Sequence, residues 1–147
     1  MLSRAELLGQ LMTNYDTSIA VSGTHGKTTT TSMISVCFVE ADKDPSIEVG
    51  ALLDAIGGNY RVGNSDYLIL ESCEYKGNFL KFFPNTEVIL NIDNDHLDYY
   101  KTFENIVKTF KDFASLLDEN GLLITNADDE NCLKLKEFCK INVKFFA

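Results

Sequence analysis

"AVSGTHGKTTTT", residues 20–31, is the stretch whose reading decides the fold. A short apolar run leads into two glycines, a single lysine and four threonines in a row. A phosphate-binding loop needs that composition. Glycines let the backbone turn its N–H groups toward phosphate oxygens, and the helix that follows adds its positive end. The common G-x-x-x-x-G-K-[ST] loop does not fit, because Val21 stands where its first glycine belongs. A shorter loop fits, in which Gly23, Thr24, His25, Gly26, Lys27, Thr28 and Thr29 surround the phosphates. Here Lys27 neutralises the β- and γ-phosphates and the Thr28 hydroxyl reaches a magnesium ion. The competing reading is a plain glycine turn ahead of a helix that Thr28 merely caps.

Context favours the loop. Thr17 to Ser22 is a β-type run, and residues 27–41 read as a helix with Ile34, Cys37, Phe38 and Ala41 on its inner face. Upstream, Ser3-Arg4-Ala5-Glu6 is a capping box that starts a helix whose apolar stripe is Leu7, Leu8, Leu11 and Met12. Downstream, residues 67–70 and 88–92 are short apolar runs of the kind buried parallel strands show. Residues 103–117 form a helix with Phe103, Ile106, Val107, Phe110, Phe113, Ala114 and Leu117 on one side. Residues 122–125 read as a strand, 129–139 as a helix and 143–146 as a last strand. Between Pro45 and Asn64 the glycines imply short strands joined by turns. The expected fold is α/β: one domain over residues 1–147, a mostly parallel sheet flanked by helices, like that of P-loop NTPases.

Composition narrows the partners. The chain has 147 residues, 45% apolar and 24% charged, with a net charge of −9. That balance argues against a general nucleic-acid or membrane-surface binder. No apolar run approaches the length a bilayer needs, and no basic-then-apolar leader stands at the N-terminus, so the expected setting is cytoplasmic. A polyanion must therefore be bound locally, by backbone N–H groups, one or two cations and a metal. Cys37, Cys73, Cys132 and Cys139 form no C-x-x-C pair and have no histidine at metal-ligand spacing. Cys37, Cys132 and Cys139 read as small apolar core residues.

Two further segments follow predicted strands, and in parallel sheets ligands gather beyond the carboxyl ends of strands. In "YLILESCEY", residues 67–75, Glu71 closes an apolar strand, where a carboxylate needs a cationic partner such as magnesium. An exposed strand-end acid is the alternative. Glu74 is a weaker candidate, further into the loop. In "ILNIDNDHLDYY", residues 89–100, Asp95-His96 lies just past a strand, and the chain's two histidines, His25 and His96, both fall in candidate loops. His96 is read either as a metal or phosphate partner or as a structural imidazole. Asp98 reads as the cap of the next helix.

Together, "GTHGKTTTT", "ILESCEYKGNFLKFFPN" and "NIDNDHLDYY" resemble the ATP-dependent Mur ligases of bacterial cell-wall synthesis, over nearly the whole chain. That family uses the trimmed G-T-x-G-K-T loop, so Val21 needs no glycine. The histidine in G-T-H-G-K-T points to the branch that adds L-alanine to UDP-N-acetylmuramate, or to its peptide-recycling relative, and "NFLKFFP" resembles the former. The resemblance implies ATP and Mg²⁺ as cofactors, with Lys27, Glu71 and His96 as catalytic residues. Thr28 holds one magnesium, and Glu71 and His96 hold a second that bridges the γ-phosphate and the substrate carboxylate. It further implies that this carboxylate attacks the γ-phosphate and that the amine of alanine opens the resulting acyl phosphate. Where relatives carry further acids after the first glutamate, this chain has Cys73, Tyr75 and Lys76. Cys73 reads as a packing residue without covalent chemistry. Against the family pattern the chain reads as part of the central ATP-binding domain, without the UDP-binding and C-terminal domains, and inactive alone. The other readings are a stand-alone P-loop NTPase, for which "YLILE" is the one near match to an hhhhD motif, and a non-catalytic nucleotide-binding module.

Overall fold

The computed structural model describes residues 1–139 and 141–147. Its strands are β1 (Thr17–Ser22), β2 (Ser46–Leu53), β3 (Gly58–Arg61), β4 (Tyr67–Glu71), β5 (Thr86–Ile89), β6 (Leu122–Asn126) and β7 (Asn142–Phe146). Helices α1 (Arg4–Met12), α2 (Lys27–Glu40), α3 (Leu97–Tyr100), α4 (Phe103–Ala114) and α5 (Glu130–Leu135) flank them, with a kinked 3-10 segment at Tyr75–Lys81. The sheet order is β3-β2-β4-β1-β5-β6-β7, parallel throughout except for the antiparallel β2–β3 pair. The expected α/β class is therefore the observed one.

Register positions the site. Val21 pairs with Glu71 and Ser22 with Ile89, so β4 and β5 end level with β1 on either side of it. The three segments singled out in the sequence thus leave three adjacent strands side by side, at the end where parallel sheets bind ligands.

The larger core covers one face, where Ala20, Leu70, Ile89 and Leu123 meet α1, the 3-10 segment, α4 and α5. Phe79 and Phe113 stack there at 4.2 Å and 13°, and Phe110 meets Phe79 edge-on at 5.3 Å. Truncating any of these fully buried rings to alanine removes roughly 3–5 kcal/mol. On the other face, α2 covers Val21, Val88 and Leu90 mainly through Ile34.

Several local expectations are corrected. The capping box at Ser3 and Glu6 is present, but α1 buries Ala5, Gly9 and Met12 and leaves Leu7 and Leu11 exposed. A Cβ built on Gly9 would lie 1.9 Å from the Lys81 carbonyl oxygen, so the helix turns its glycine inward to approach the 3-10 segment. Helix α2 buries Thr31 and Ser35, whereas Cys37 and Ala41 are exposed. Small residues let α2 lie close on the sheet, and the Thr31 and Ser35 hydroxyls donate to the carbonyls of Lys27 and Thr31 at 2.8 and 2.7 Å. Cys37 is thus no core residue, whereas Cys132 is buried and Cys139 packs beside it. Strand β5 spans Thr86–Ile89 where residues 88–92 were expected, and α5 ends at Leu135. Thr102, and not Asp98, caps the long helix α4, accepting from the Asn105 N–H.

Glu87 is the anomaly of the sheet. It is fully buried on β5, and among the described residues neither carboxylate oxygen has a hydrogen-bond partner. Burial pushes its carboxyl well above the ordinary value of 4.5. The sign follows. Below about pH 4.5 the group is protonated in both states, and its stabilising share is intact. As pH rises from there through the raised folded value, only the unfolded chain releases the proton readily, and stability falls. Glu87→Met is therefore expected to stabilise the fold at pH 8 by about 1–3 kcal/mol, with the gain shrinking toward pH 4. Thermal melts of both forms across that range check it.

Candidate functional site

Gly23 and Gly26 carry the turn from β1 into α2 with φ of +138° and +85°, values that side chains disfavour. A Cβ on Gly23 would also lie 3.0 Å from the Leu90 side chain and 3.2 Å from the Asn91 nitrogen. Both reasons make glycine necessary at position 23. The loop is laced to the segment after β5. The Thr24 N–H donates to the Asn91 carbonyl at 3.1 Å, and the Asp93 N–H donates to Thr24 Oγ1 at 2.8 Å. Asn91 grips the His25 backbone twice, accepting from its N–H at 2.8 Å and donating to its carbonyl at 3.0 Å. These bonds fix the hollow of about 370 Å³ formed by residues 24–29. Asn91 is not singled out in the sequence, where residues 88–92 read as one strand that encloses it. The His25 side chain itself is exposed, 3.9 Å from Asp93.

Thr28 and Glu71 meet directly. The Thr28 hydroxyl donates to Glu71 Oε2 at 2.9 Å, and the Gly50 N–H donates to the same oxygen at 2.8 Å. Gly50 lies on β2, two strands from β1, and was missed as a site residue because its role depends on sheet order. A Cβ there would sit 2.6 Å from Glu71 Oε2. The carboxylate ends a flexible side chain, so Gly50→Ala is expected to leave melting almost unchanged and to push Glu71 off Thr28. The expected loss is about tenfold or more in the turnover of the full-length protein, at unaltered melting temperature. Assay and melting curve together check it.

His96 does not pair with Glu71. Its Nε2 lies 3.5 Å from Glu74 Oε1 and its Nδ1 3.8 Å from Asp95 Oδ1, and no hydrogen bond or ion pair joins it to Glu71 among the described residues. His96 occupies the left-handed region, φ +54°, unusual for a side-chain-bearing residue and held here by the turn into α3. The Tyr75 ring packs on the imidazole at 4.8 Å. Glu74 is the residue whose importance the sequence understated. It is buried, and its carboxylate lies 3.1 Å from Lys27 Nζ. The Tyr100 hydroxyl, pushed up to about 12 by burial, donates to the Glu74 carbonyl.

A cavity of about 360 Å³ opens on the other side of Glu71, lined by Arg4, Glu48, Gly50, Cys73, Asn78 and Phe82 among others. Arg4 and Glu48 form an ion pair at its rim. Burial raises the Glu48 carboxyl above the ordinary range against the pull of Arg4, and the neighbouring Glu71 raises it further. Cys73 is exposed to this cavity, yet partial burial pushes its thiol up, which disfavours the reactive thiolate.

The donor set can be tested against magnesium. Among the described residues no group of three or more His, Cys, Asp and Glu side chains could cage a metal. Magnesium seldom asks for one: it takes one or two carboxylates, keeps waters and shares substrate phosphates. A hydroxyl and a carboxylate oxygen 2.9 Å apart at the mouth of a phosphate hollow suit that hard cation. The residues fit.

Residues 21–147 match the model of the Mur ligase middle domain. A UDP-N-acetylmuramate–L-alanine ligase from Clostridium perfringens is 55% identical over 143 residues, covering 97% of this chain and 31% of that protein. One from Caldicellulosiruptor saccharolyticus is 51% identical over 144 residues, covering 98% and 32%. The chain thus spans about a third of the length of the curated relatives it matches. Among solved structures, a UDP-N-acetylmuramate–alanine ligase from Thermotoga maritima superposes with a TM-score of 0.77 at 31% identity, over 88% of this chain and 30% of that one. A UDP-N-acetylmuramate:L-alanyl-γ-D-glutamyl-meso-diaminopimelate ligase from Neisseria meningitides gives 0.90 at 23% identity, over 99% and 50%, a likeness of fold alone.

Proposed function

Since the chain belongs to the Mur ligase family, whose middle domain it carries, we propose that it is the phosphate- and metal-binding part of an ATP-dependent ligase that joins L-alanine to UDP-N-acetylmuramate in the cytoplasm, for peptidoglycan synthesis. The observation that carries this reading is the meeting of Thr28, from the phosphate loop, with Glu71, from the end of the neighbouring strand, at 2.9 Å.

In this reading residues 23–29 wrap the ATP phosphates, and Lys27 reaches the β- and γ-phosphates. Thr28 and Glu71 would hold one magnesium, and Glu71 with His96 would hold a second. Magnesium, when bound, neutralises charge that builds on the transferred phosphoryl group. The protein's share is positioning: Asn91 and Asp93 keep the loop in shape, and Gly50 aims the Glu71 carboxylate. The cavity beside Glu71 is room for the acceptor, whose carboxylate attacks the γ-phosphate to give an acyl phosphate that the amine of alanine opens.

The full-length protein supplied with Mg-ATP and UDP-N-acetylmuramate tests the assignment, with free L-alanine or an alanine-initiated peptide as the second substrate. Phosphate release dependent on free alanine is the expected result. Release dependent on the peptide instead would make it a murein-peptide ligase, and release without either would leave a simple NTPase.

A further inference from the structure

Lys27 is fully committed inside the protein. An ammonium has three donors, and those of Lys27 go to the Gly23 carbonyl at 2.6 Å, the Thr24 carbonyl at 3.2 Å and the Glu74 carboxylate at 3.1–3.3 Å. Two of these partners belong to the loop itself. The third arrives from the segment just past the end of β4, forty-seven positions along the chain. A phosphate that takes a donor from Lys27 competes with all three, and Glu74 is the charged competitor.

Glu74 cannot simply let go. Its side chain is 3% exposed, and a carboxylate so buried needs a compensating cation. The other side chain within reach is the His96 imidazole, on the third segment, 3.5 Å away. Tyr100, bonded to the Glu74 carbonyl, and Tyr75, packed on His96, hold the two groups in place. One carboxylate therefore stands between the phosphate-loop lysine and the histidine of a different loop.

Resting on the nucleotide-site reading above, we propose that Glu74 is a positioning residue that latches Lys27 back until phosphate and a divalent cation arrive together. Phosphate takes over the lysine donor. The carboxylate left behind is compensated on its His96 side by the cation that accompanies the phosphates. A polyphosphate without a divalent cation meets the closed latch and binds weakly.

The probe is inorganic pyrophosphate in EDTA, titrated calorimetrically into the wild-type chain, Glu74→Gln and the control Asp128→Asn. Glu74→Gln is expected to bind pyrophosphate about tenfold more tightly than wild type, as loss of a close charge competitor permits. Asp128→Asn removes an equal, exposed charge just past β6, at the same end of the sheet, and is expected to change affinity by less than about threefold. Pulse acylation read by mass spectrometry is the second readout, and Lys27 is expected to react several-fold faster in Glu74→Gln. Unchanged pyrophosphate affinity in Glu74→Gln overturns the latch, as does a gain that Asp128→Asn reproduces. Should Glu74→Gln not fold, Glu74→Asp, with its shorter reach, must show a smaller gain in the same direction or the latch is refuted. Wild type that binds Mg-ADP while Glu74→Gln shows no shift leaves the nucleotide-site reading standing. Binding of neither pyrophosphate nor Mg-ADP by any form removes both.

Discussion

Lys27→Ala is expected to lower ligation by the full-length protein by about 10³-fold or more. Phosphoryl transfer gives a protein little covalent work, so a charge placed on the transferred group carries much of the rate. Lys27 is the one cation of the loop, and the structure buries most of it against Gly23, Thr24 and Glu74. The substitution also strands the Glu74 carboxylate, with His96 nearby, at a stability cost of up to about 3–5 kcal/mol. The two effects separate cleanly. Adding Glu74→Gln to Lys27→Ala should restore most of the melting temperature and none of the activity. Near-normal turnover in a folded Lys27→Ala protein would end the phosphate-loop reading.

Glu71→Gln is expected to have the next largest effect. The carboxamide oxygen can still accept from Thr28 and Gly50, so the fold should hold. The lost charge is what a magnesium ion needs. Removing a partner one shell further out typically costs 10–100-fold in metal affinity or activity, so loss of a direct ligand should exceed about 100-fold. The Mg²⁺ concentration for half-maximal rate should rise with it. A rate loss at unchanged magnesium dependence would assign Glu71 a structural role.

Much of this site was legible because its parts are local. A strand, a glycine-lysine-threonine turn and a helix are contiguous, and Glu71 follows its strand directly. The parallel sheet itself followed from alternating apolar runs and helices, and it placed the three segments at one end. What escaped reading depends on the chain folding back on itself. Glu74 is buried because Lys76 and Gly77, at φ of +57° and +65°, turn the 3-10 segment back under Tyr100. Only Gly77 hints at that turn. The contact between His96 and Glu74 rests on that fold-back. Gly50 acts through sheet order, which no local pattern encodes. Helix α2 defeated the amphipathic template because hydroxyls that bond back to their own helix stand in for apolar side chains. Glu87, an acid inside an apolar strand, breaks the rule that buried polar groups are hydrogen-bonded, and nothing beside it in the sequence announces its burial.

The central claim is that residues 23–29, with Glu71, make a magnesium-dependent phosphate site. Calorimetric titration of the chain with ADP, with and without Mg²⁺, tests it most directly. The expected result is weak binding, in the high micromolar range, that requires Mg²⁺ and is lost in Lys27→Ala and weakened in Glu71→Gln. Binding that is indifferent to Mg²⁺ and to both substitutions would contradict it.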